Sequence, residues 1–405
     1  GSEMCIRDSS HDTAGIAVAS MLACAEAGAD VIDAAIDSMS GLTSQPSMGA
    51  IVSSLEQMEL GTGISHDSIQ RLNLYWSEVR QLYQCFEQNV KASDSSVFDH
   101  EMPGGQYTNL MFQSQQLGLG SQWSEIKHAY MEANMLCGDI VKVTPSSKVV
   151  GDLAQFMVAN KLSARDVEEH ASTLDFPVSV VEFFQGFLGT PPGGFPEPLR
   201  THIIRNKERV DTRRGASLPP LDFDKIKSDL TVKYRRPMSE CDAVSWAMYP
   251  KVFEEFQAFI EEFGDLSRMP TRFFLGKPKA GEEMHIPIED GKLLIVKLLG
   301  LGPFHEATGM RDVLFELNSS PRSISVKDLS ASVEEVHHEK ATSEPGSVGS
   351  PLAGVVVELK VKEGDAVKPG DAMFVMSAMK METIVSAQIA GKVTRVPLPL
   401  IHNPH

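Results

Sequence analysis

The sequence predicts a multidomain chain that joins an α/β part to a β part, and three observations predict it. A helix, a glycine and a short apolar strand follow one another between residues 15 and 33, as in half of a βα unit of a parallel sheet. From about Gly49 to Lys207 apolar residues recur with a helical period, broken at Gly and Pro. After residue 271, and again from residue 354, the period switches to two, as in strands.

Bulk properties narrow the function. With 405 residues the chain has room for about two to four domains with cores of their own, and 42% hydrophobic residues exclude a disordered chain. A net charge of −17 argues against nucleic acid or an anionic membrane as the main partner, since either wants a basic face. The cysteines Cys5, Cys24, Cys85, Cys137 and Cys241 are odd in number, scattered and without metal spacing, which fits reduced thiols in an intracellular compartment. No apolar run reaches the length of a membrane span.

In order along the chain, residues 1–10 show no period and read as a foreign lead-in outside the fold. His11-Asp12-Thr13 precedes the small-residue helix from Gly15 to Ala27, and Gly28 stops it before a buried strand at Asp30 to Asp33. The polar loop Asp37 to Gly49 follows; in a barrel, such loops after strands carry the chemistry. Two interruptions mark the helical region. Pro103-Gly104-Gly105 reads as a turn that throws Gln106, Tyr107, Thr108 and Asn109 into one place. A β-like run from Asp139 ends at Thr144, and a new helix begins with Ser147 as its cap and Leu153, Phe156 and Met157 facing inward. Hydroxyls and Lys148 at a helix start suit an anionic or carbonyl-bearing ligand, although by themselves they describe no more than a capped helix.

Pro191 to Pro198 closes the helical region, and a basic, turn-rich connection leads to an amphipathic helical stretch from Leu221 to Gly264. Its aromatics Trp246, Tyr249, Phe253, Phe256 and Phe259 read as core or subunit packing. Four strands are expected at 271–275, 283–288, 293–299 and 311–317. Residues 330–348 lose all periodicity and read as a flexible linker; its roughly twenty residues would span about 25 Å on average and about 60 Å stretched.

Beyond the linker, Lys380 sits between Met379 and Met381, with alternating runs Gly354 to Val361 and Gly391 to Val396 placed like copies about it. That places the lysine on a hairpin tip. A lone exposed lysine is ordinarily a solvated charge. Here Ser350-Pro351-Leu352-Ala353-Gly354, Glu363-Gly364-Asp365, Pro369-Gly370-Asp371 and Ala378-Met379-Lys380-Met381 occur together, and this arrangement resembles a biotinyl carrier domain, whose lysine is covalently biotinylated.

Taken with His11-Asp12-Thr13-Ala14-Gly15, Asp37-Ser38-Met39-Ser40-Gly41, Pro103 to Leu110, Val143 to Lys148 and Gly193-Gly194-Phe195-Pro196-Glu197-Pro198, the chain from His11 to Val396 resembles the C-terminal part of the pyruvate carboxylase family. The resemblance implies the last part of a TIM barrel at 11–50 and the helical funnel of a carboxyltransferase at 51–220. A small α+β allosteric and tetramerisation domain at 221–329 and the linker 330–348 follow, then a flattened β-barrel (hammerhead) biotinyl carrier at 349–398, with 399–405 a tail foreign to the family. The carrier repeat calls for a further Gly-Asp turn and a closing strand after Val396. Pro397 to His405 cannot supply them, so ligase labelling of this chain is expected to be poor.

The resemblance also implies an enzyme that transfers a carboxyl group from carboxybiotin to pyruvate, giving oxaloacetate for anaplerosis and gluconeogenesis. It implies biotin on Lys380, Thr144 as the proton relay, and Thr144, Ser147 and Lys148 around biotin and substrate. His11, at the place of the second histidine of a His-x-His pair, would be one ligand of a divalent metal (Zn, Mn or similar), with Ser9 standing where the first belongs. Further implications are ATP and Mg in a domain not in this chain, bicarbonate, a biotin protein ligase, a homotetramer, acetyl-CoA as activator, and the mitochondrial matrix or cytoplasm. The fragment alone would be inactive. Two other readings stay open: the α subunit of a biotin-dependent oxaloacetate decarboxylase, and a non-catalytic carrier module.

Overall fold

A computed structural model describes residues 5–328, 341, 342, 344, 346–352, 354–378 and 381–396, apart from 89, 277, 306 and 307. Lys380, most of the linker and the tail therefore lie outside the described residues. The described residues form two compact units: one takes the chain up to Gln81, Phe86–Ser217 and the described part of His338–His402, the other Leu82–Cys85 and the described part of Leu218–His337.

The first unit opens with a parallel pair, Arg7–Asp8 beside Val31–Ile32, joined by the helix Ala17–Glu26. Arg7–Asp8, which the patterning left outside the fold, is held there by an ion pair from Arg7 to Asp33 at 2.7 Å and by the Ile6 N–H on Asp30 at 2.8 Å. Asp37 then accepts from Ser47 Oγ and the Gly49 N–H, both at 2.7 Å, and so ties the polar loop to the start of the helix Met48–Leu55.

The main core lies among the helices Gly104–Gln116, Trp123–Leu136, Ser146–Ala159, Val178–Gln185 and Leu199–Ile204. Leu110, Ile126, Tyr130, Val150, Met157 and Phe184 are fully buried there, as the helical period requires. Leu153, Phe156 and Met157 face inward as expected. The expected turn at 103–110 is instead the first turns of a helix, because only Pro103 stands outside it and Pro favours a helix start. A helix spreads successive side chains about its axis, so Tyr107 is buried, Asn109 is exposed, and the four polar groups do not converge.

Gly186 ends the Val178–Gln185 helix at φ +92, and a Cβ there would stand 2.1 Å from the Val210 carbonyl oxygen. Gly186→Ala is expected to cost about 3 kcal/mol, from left-handed backbone and overpacking together. The urea-denaturation midpoint checks it; an unchanged midpoint would show that the segment carrying Val210 simply moves.

The carrier module belongs to the same unit. Strands Val355–Leu359, Ala372–Ala378 and Met381–Ser386 form an antiparallel sheet with Ala372–Ala378 in the middle, and Gly391–Lys392 pairs with Ala366–Val367. The strands flanking residues 379 and 380 are thus 372–378 and 381–386, not the two Val-rich runs, of which the first pairs with 372–378 and the second with 366–367. Leu352, Phe374, Met376, Met381 and Val385 make the carrier core.

In the second unit the stretch from Leu221 is three helices, Phe223–Tyr234, Glu240–Met248 and Pro250–Phe263. Pro237 and Pro250 divide it, and Ser239 with Asp242 forms a capping box at the second start. Leu230, Met238 and Phe253 form its small core, whereas Tyr249, Phe256 and Phe259 are exposed. The four-stranded antiparallel sheet is Glu283–Glu289, Lys292–His305, Met310–Leu317 and Ser320–Lys327. The strand expected at 271–275 is a single helical turn, Arg272–Leu275, confined between Pro270 and Gly276 and too apolar to alternate. The fourth strand lies at an exposed edge, where Ser320, Ser323 and Ser325 hid its pattern.

Candidate functional site

The site grows from the start of the Ser146–Ala159 helix. Residues 139–145 approach it without a ladder partner, so the β-like run is not a strand: Val141 and Val143 are exposed. Ser146, not Ser147, ties the helix start, since Ser146 Oγ lies 2.6 Å from the Val143 carbonyl and accepts the Val143 N–H at 3.1 Å. Ser147 lies within the first turn, buried, its N–H on the Val143 carbonyl. Thr144 sits exposed in the turn before Pro145.

One turn on, the Lys148 ammonium donates to Asp152 Oδ2, and Ser179 Oγ from the Val178–Gln185 helix donates to the same oxygen at 2.5 Å. Asp152 is fully buried; burial pushes its carboxyl above the usual range, against the pull of Lys148 and Ser179. A cavity of about 370 Å³ opens here, lined by Pro145, Lys148, Val149, Ser179, Glu182 and Glu382 among others.

Glu382 comes from the carrier. Strand Met381–Ser386 is an edge of the carrier sheet, and edges invite backbone partners. Thr383 bridges Pro177 in antiparallel fashion, and the Ser386 N–H donates to Asp175 Oδ2 at 3.1 Å. Burial raises the Asp175 carboxyl, and Arg205 stands 3.7 Å from it. Leu117 and Ala159 pack against the carrier core. The carrier is therefore seated on the helices that form the cavity, with the residue two past Lys380 in its wall.

His11 stands apart from this arrangement. Its Nδ1 accepts the Gly104 N–H at 3.3 Å, and its ring fills the space a Cβ on Gly104 would enter, at 2.8 Å. Burial lowers its pKa. With Nδ1 accepting, the neutral ring carries its proton on Nε2, the opposite of a histidine that binds metal through Nε2 and donates from Nδ1. Among the described residues no three His, Cys, Asp or Glu side chains converge to hold a metal. These residues by themselves do not fit the implied metal centre.

The structure thus brings Lys148, Ser147, the turn at Thr144 and the carrier strand into one place and leaves His11 out. Asp152 was legible as the i,i+4 partner of Lys148. Ser179, Glu182 and Asp175 carried no signal, because only packing brings them near.

Comparison with known proteins identifies the family. A family model described as a conserved carboxylase domain matches residues 97–297, and one described as a biotin-requiring enzyme matches residues 346–399. The chain is 54% identical over 385 residues to the pyruvate carboxylase of Aspergillus niger, covering 95% of this chain and 32% of the relative. The chain belongs to the pyruvate carboxylase family. Pyruvate carboxylase of Pichia angusta is 55% identical over 379 residues, covering 93% of this chain and 32% of that protein. A solved carboxyl transferase domain of Rhizobium etli pyruvate carboxylase with pyruvate and biocytin superposes with a TM-score of 0.70 at 41% identity, over 79% of this chain and 54% of that one. The chain spans about a third of the length of the curated relatives it matches. The mixed helix and sheet described above fits a carboxyltransferase part followed by a biotin-lipoyl domain.

Proposed function

We propose that this chain is the carboxyl-transferring and carrier part of a pyruvate carboxylase, moving a carboxyl group from biotin on Lys380 to pyruvate to give oxaloacetate. The carrying observation is the seat of the carrier strand on the helices of the Lys148 cavity, with Glu382 in its wall. Biotin supplies a ring nitrogen that takes up and releases the carboxyl group. The ring is neutral, bears a urea carbonyl and is largely apolar. A cavity that sets the Lys148 ammonium and Ser179 beside Pro145, Val149, Val178 and Leu188 has the matching chemistry. Lys148 would donate to the carbonyl, with Ser147 beside it in the same turn. Thr144 would pass a proton between the pyruvate methyl group and the ring nitrogen, since a hydroxyl donates and accepts at once without holding charge. Seating the carrier over the cavity also excludes water, which would otherwise compete for the proton and the carboxyl group.

The finer organisation belongs to the same proposal: a TIM-barrel end at 11–50, a helical funnel to 220, an allosteric and tetramerisation domain at 221–329, and a hammerhead carrier at 349–398. So do the homotetramer, the ligase, acetyl-CoA, an ATP and Mg domain with bicarbonate, and a mitochondrial or cytoplasmic place of action.

The test uses a fusion in which this chain replaces the matching third of the Aspergillus niger relative, with Lys380→Arg so that only added biotin reacts. Oxaloacetate decarboxylation should then depend on free biotin, and Lys148→Met should raise the KM for biotin about tenfold, the loss of one charge-assisted hydrogen bond. An unchanged KM in Lys148→Met would reject the cavity as the biotin site.

A further inference from the structure

We propose that Asp152 is a positioning residue for Lys148, fixing its ammonium at the cavity and coupling it, through Ser179, to the helix that receives the carrier. The proposal rests on the reading of the cavity as the place of the biotin ring. Lys148 has a flexible four-carbon stem and a side chain 41% exposed, so without an anchor it would spread over many rotamers. Its ammonium has three donors; among the described residues one goes to Asp152, which leaves the others for a ligand.

Two further carboxylates, Glu182 and Glu382, line the same cavity. It is to Asp152, fully buried and one helical turn away, that the Lys148 ammonium donates. The arrangement is not one that stability alone would select. Both partners of Asp152 bond Oδ2, and among the described residues the buried Oδ1 finds no hydrogen-bond partner. A half-satisfied buried carboxylate is inferior to a packed apolar side chain as a structural element. Its use lies in what it holds. Because Ser179 reaches Asp152 from the Val178–Gln185 helix, whose start at Pro177 meets carrier residue Thr383, the cation and the docking surface share one anchor.

The same Lys380→Arg fusion and free biotin provide the test. Asp152→Asn keeps the size and an acceptor for Ser179 but removes the charge. It should raise the KM for biotin about tenfold with kcat changed far less, since ring binding and not proton transfer is affected. Lys148→Met should do the same, and the double variant should be no worse than either single one, the mark of two residues acting as a unit. An unchanged KM in Asp152→Asn, or a double variant whose loss multiplies the single losses, overturns the proposal while Lys148→Met still supports the cavity. An unchanged KM in Lys148→Met sinks both. Should Asp152→Asn not fold, Ser179→Ala decides: a raised KM supports the coupling, and an unchanged KM overturns it.

Discussion

Lys380→Arg should abolish biotin attachment altogether. Amide formation needs an amine that can be deprotonated and attack an activated carboxyl group, and a guanidinium stays protonated at any pH a protein survives. The change leaves the rest of the carrier intact. Its core of Leu352, Phe374, Met376, Met381 and Val385 lies in the strands and loops around residue 380, and the strands on either side pair with Met381 opposite Ala378. Lys360, Lys362, Lys368 and Lys392 also belong to the carrier, so the variant also asks whether the Met-Lys-Met setting selects one lysine among several. A streptavidin blot after incubation with ligase, ATP and biotin reads the outcome. Label on Lys380→Arg that stands above background and equals that of the parent chain would move the attachment site. In the fusion, the tethered reaction should vanish with the label while the reaction with free biotin continues, separating attachment from the transfer site.

Thr144→Ala should lower oxaloacetate formation from pyruvate in the Lys380-bearing fusion by about a thousandfold, the middle of the range for a positioned acid–base group. ATP cleavage with bicarbonate should persist, because the change lies in the transfer site alone. The structure places Thr144 exposed in the turn next to Pro145, a residue of the cavity wall. Stability should therefore change little. Thr144→Ser retains the hydroxyl and should recover most of the rate. A coupled assay for oxaloacetate measures both variants, and a rate retained in Thr144→Ala would end the relay role. A loss shared equally by Thr144→Ala and Thr144→Ser would show that the methyl group positions the turn.

Much of the fold was legible because it is local. The helical period of the stretch after Thr144 put Leu153, Phe156 and Met157 inside, and the alternation at 283–317 marked three strands of the sheet correctly. The failures have local causes too. A prolyl-glycine pair reads as a turn but also starts a helix, which is what Pro103 and Gly104 do. Phe273-Phe274-Leu275 is apolar enough for a strand, yet it is one helical turn between Pro270 and Gly276. Ser147 was the wrong serine for the helix start, because the loop folds back so that Ser146 reaches Val143.

The sequence by itself offered candidates for the chemistry: a lysine in a setting that resembles a biotinyl carrier, and a hydroxyl and a cation at one helix start. Those assignments depend on residue types at short spacing, which a sequence states directly. Only the tertiary structure decided what stands behind them. Asp152 reaches Ser179 across 27 positions, and Ser386 reaches Asp175 across 211. Such contacts depend on how two helices and a sheet edge pack, and packing is a property of surfaces that no short stretch of chain contains.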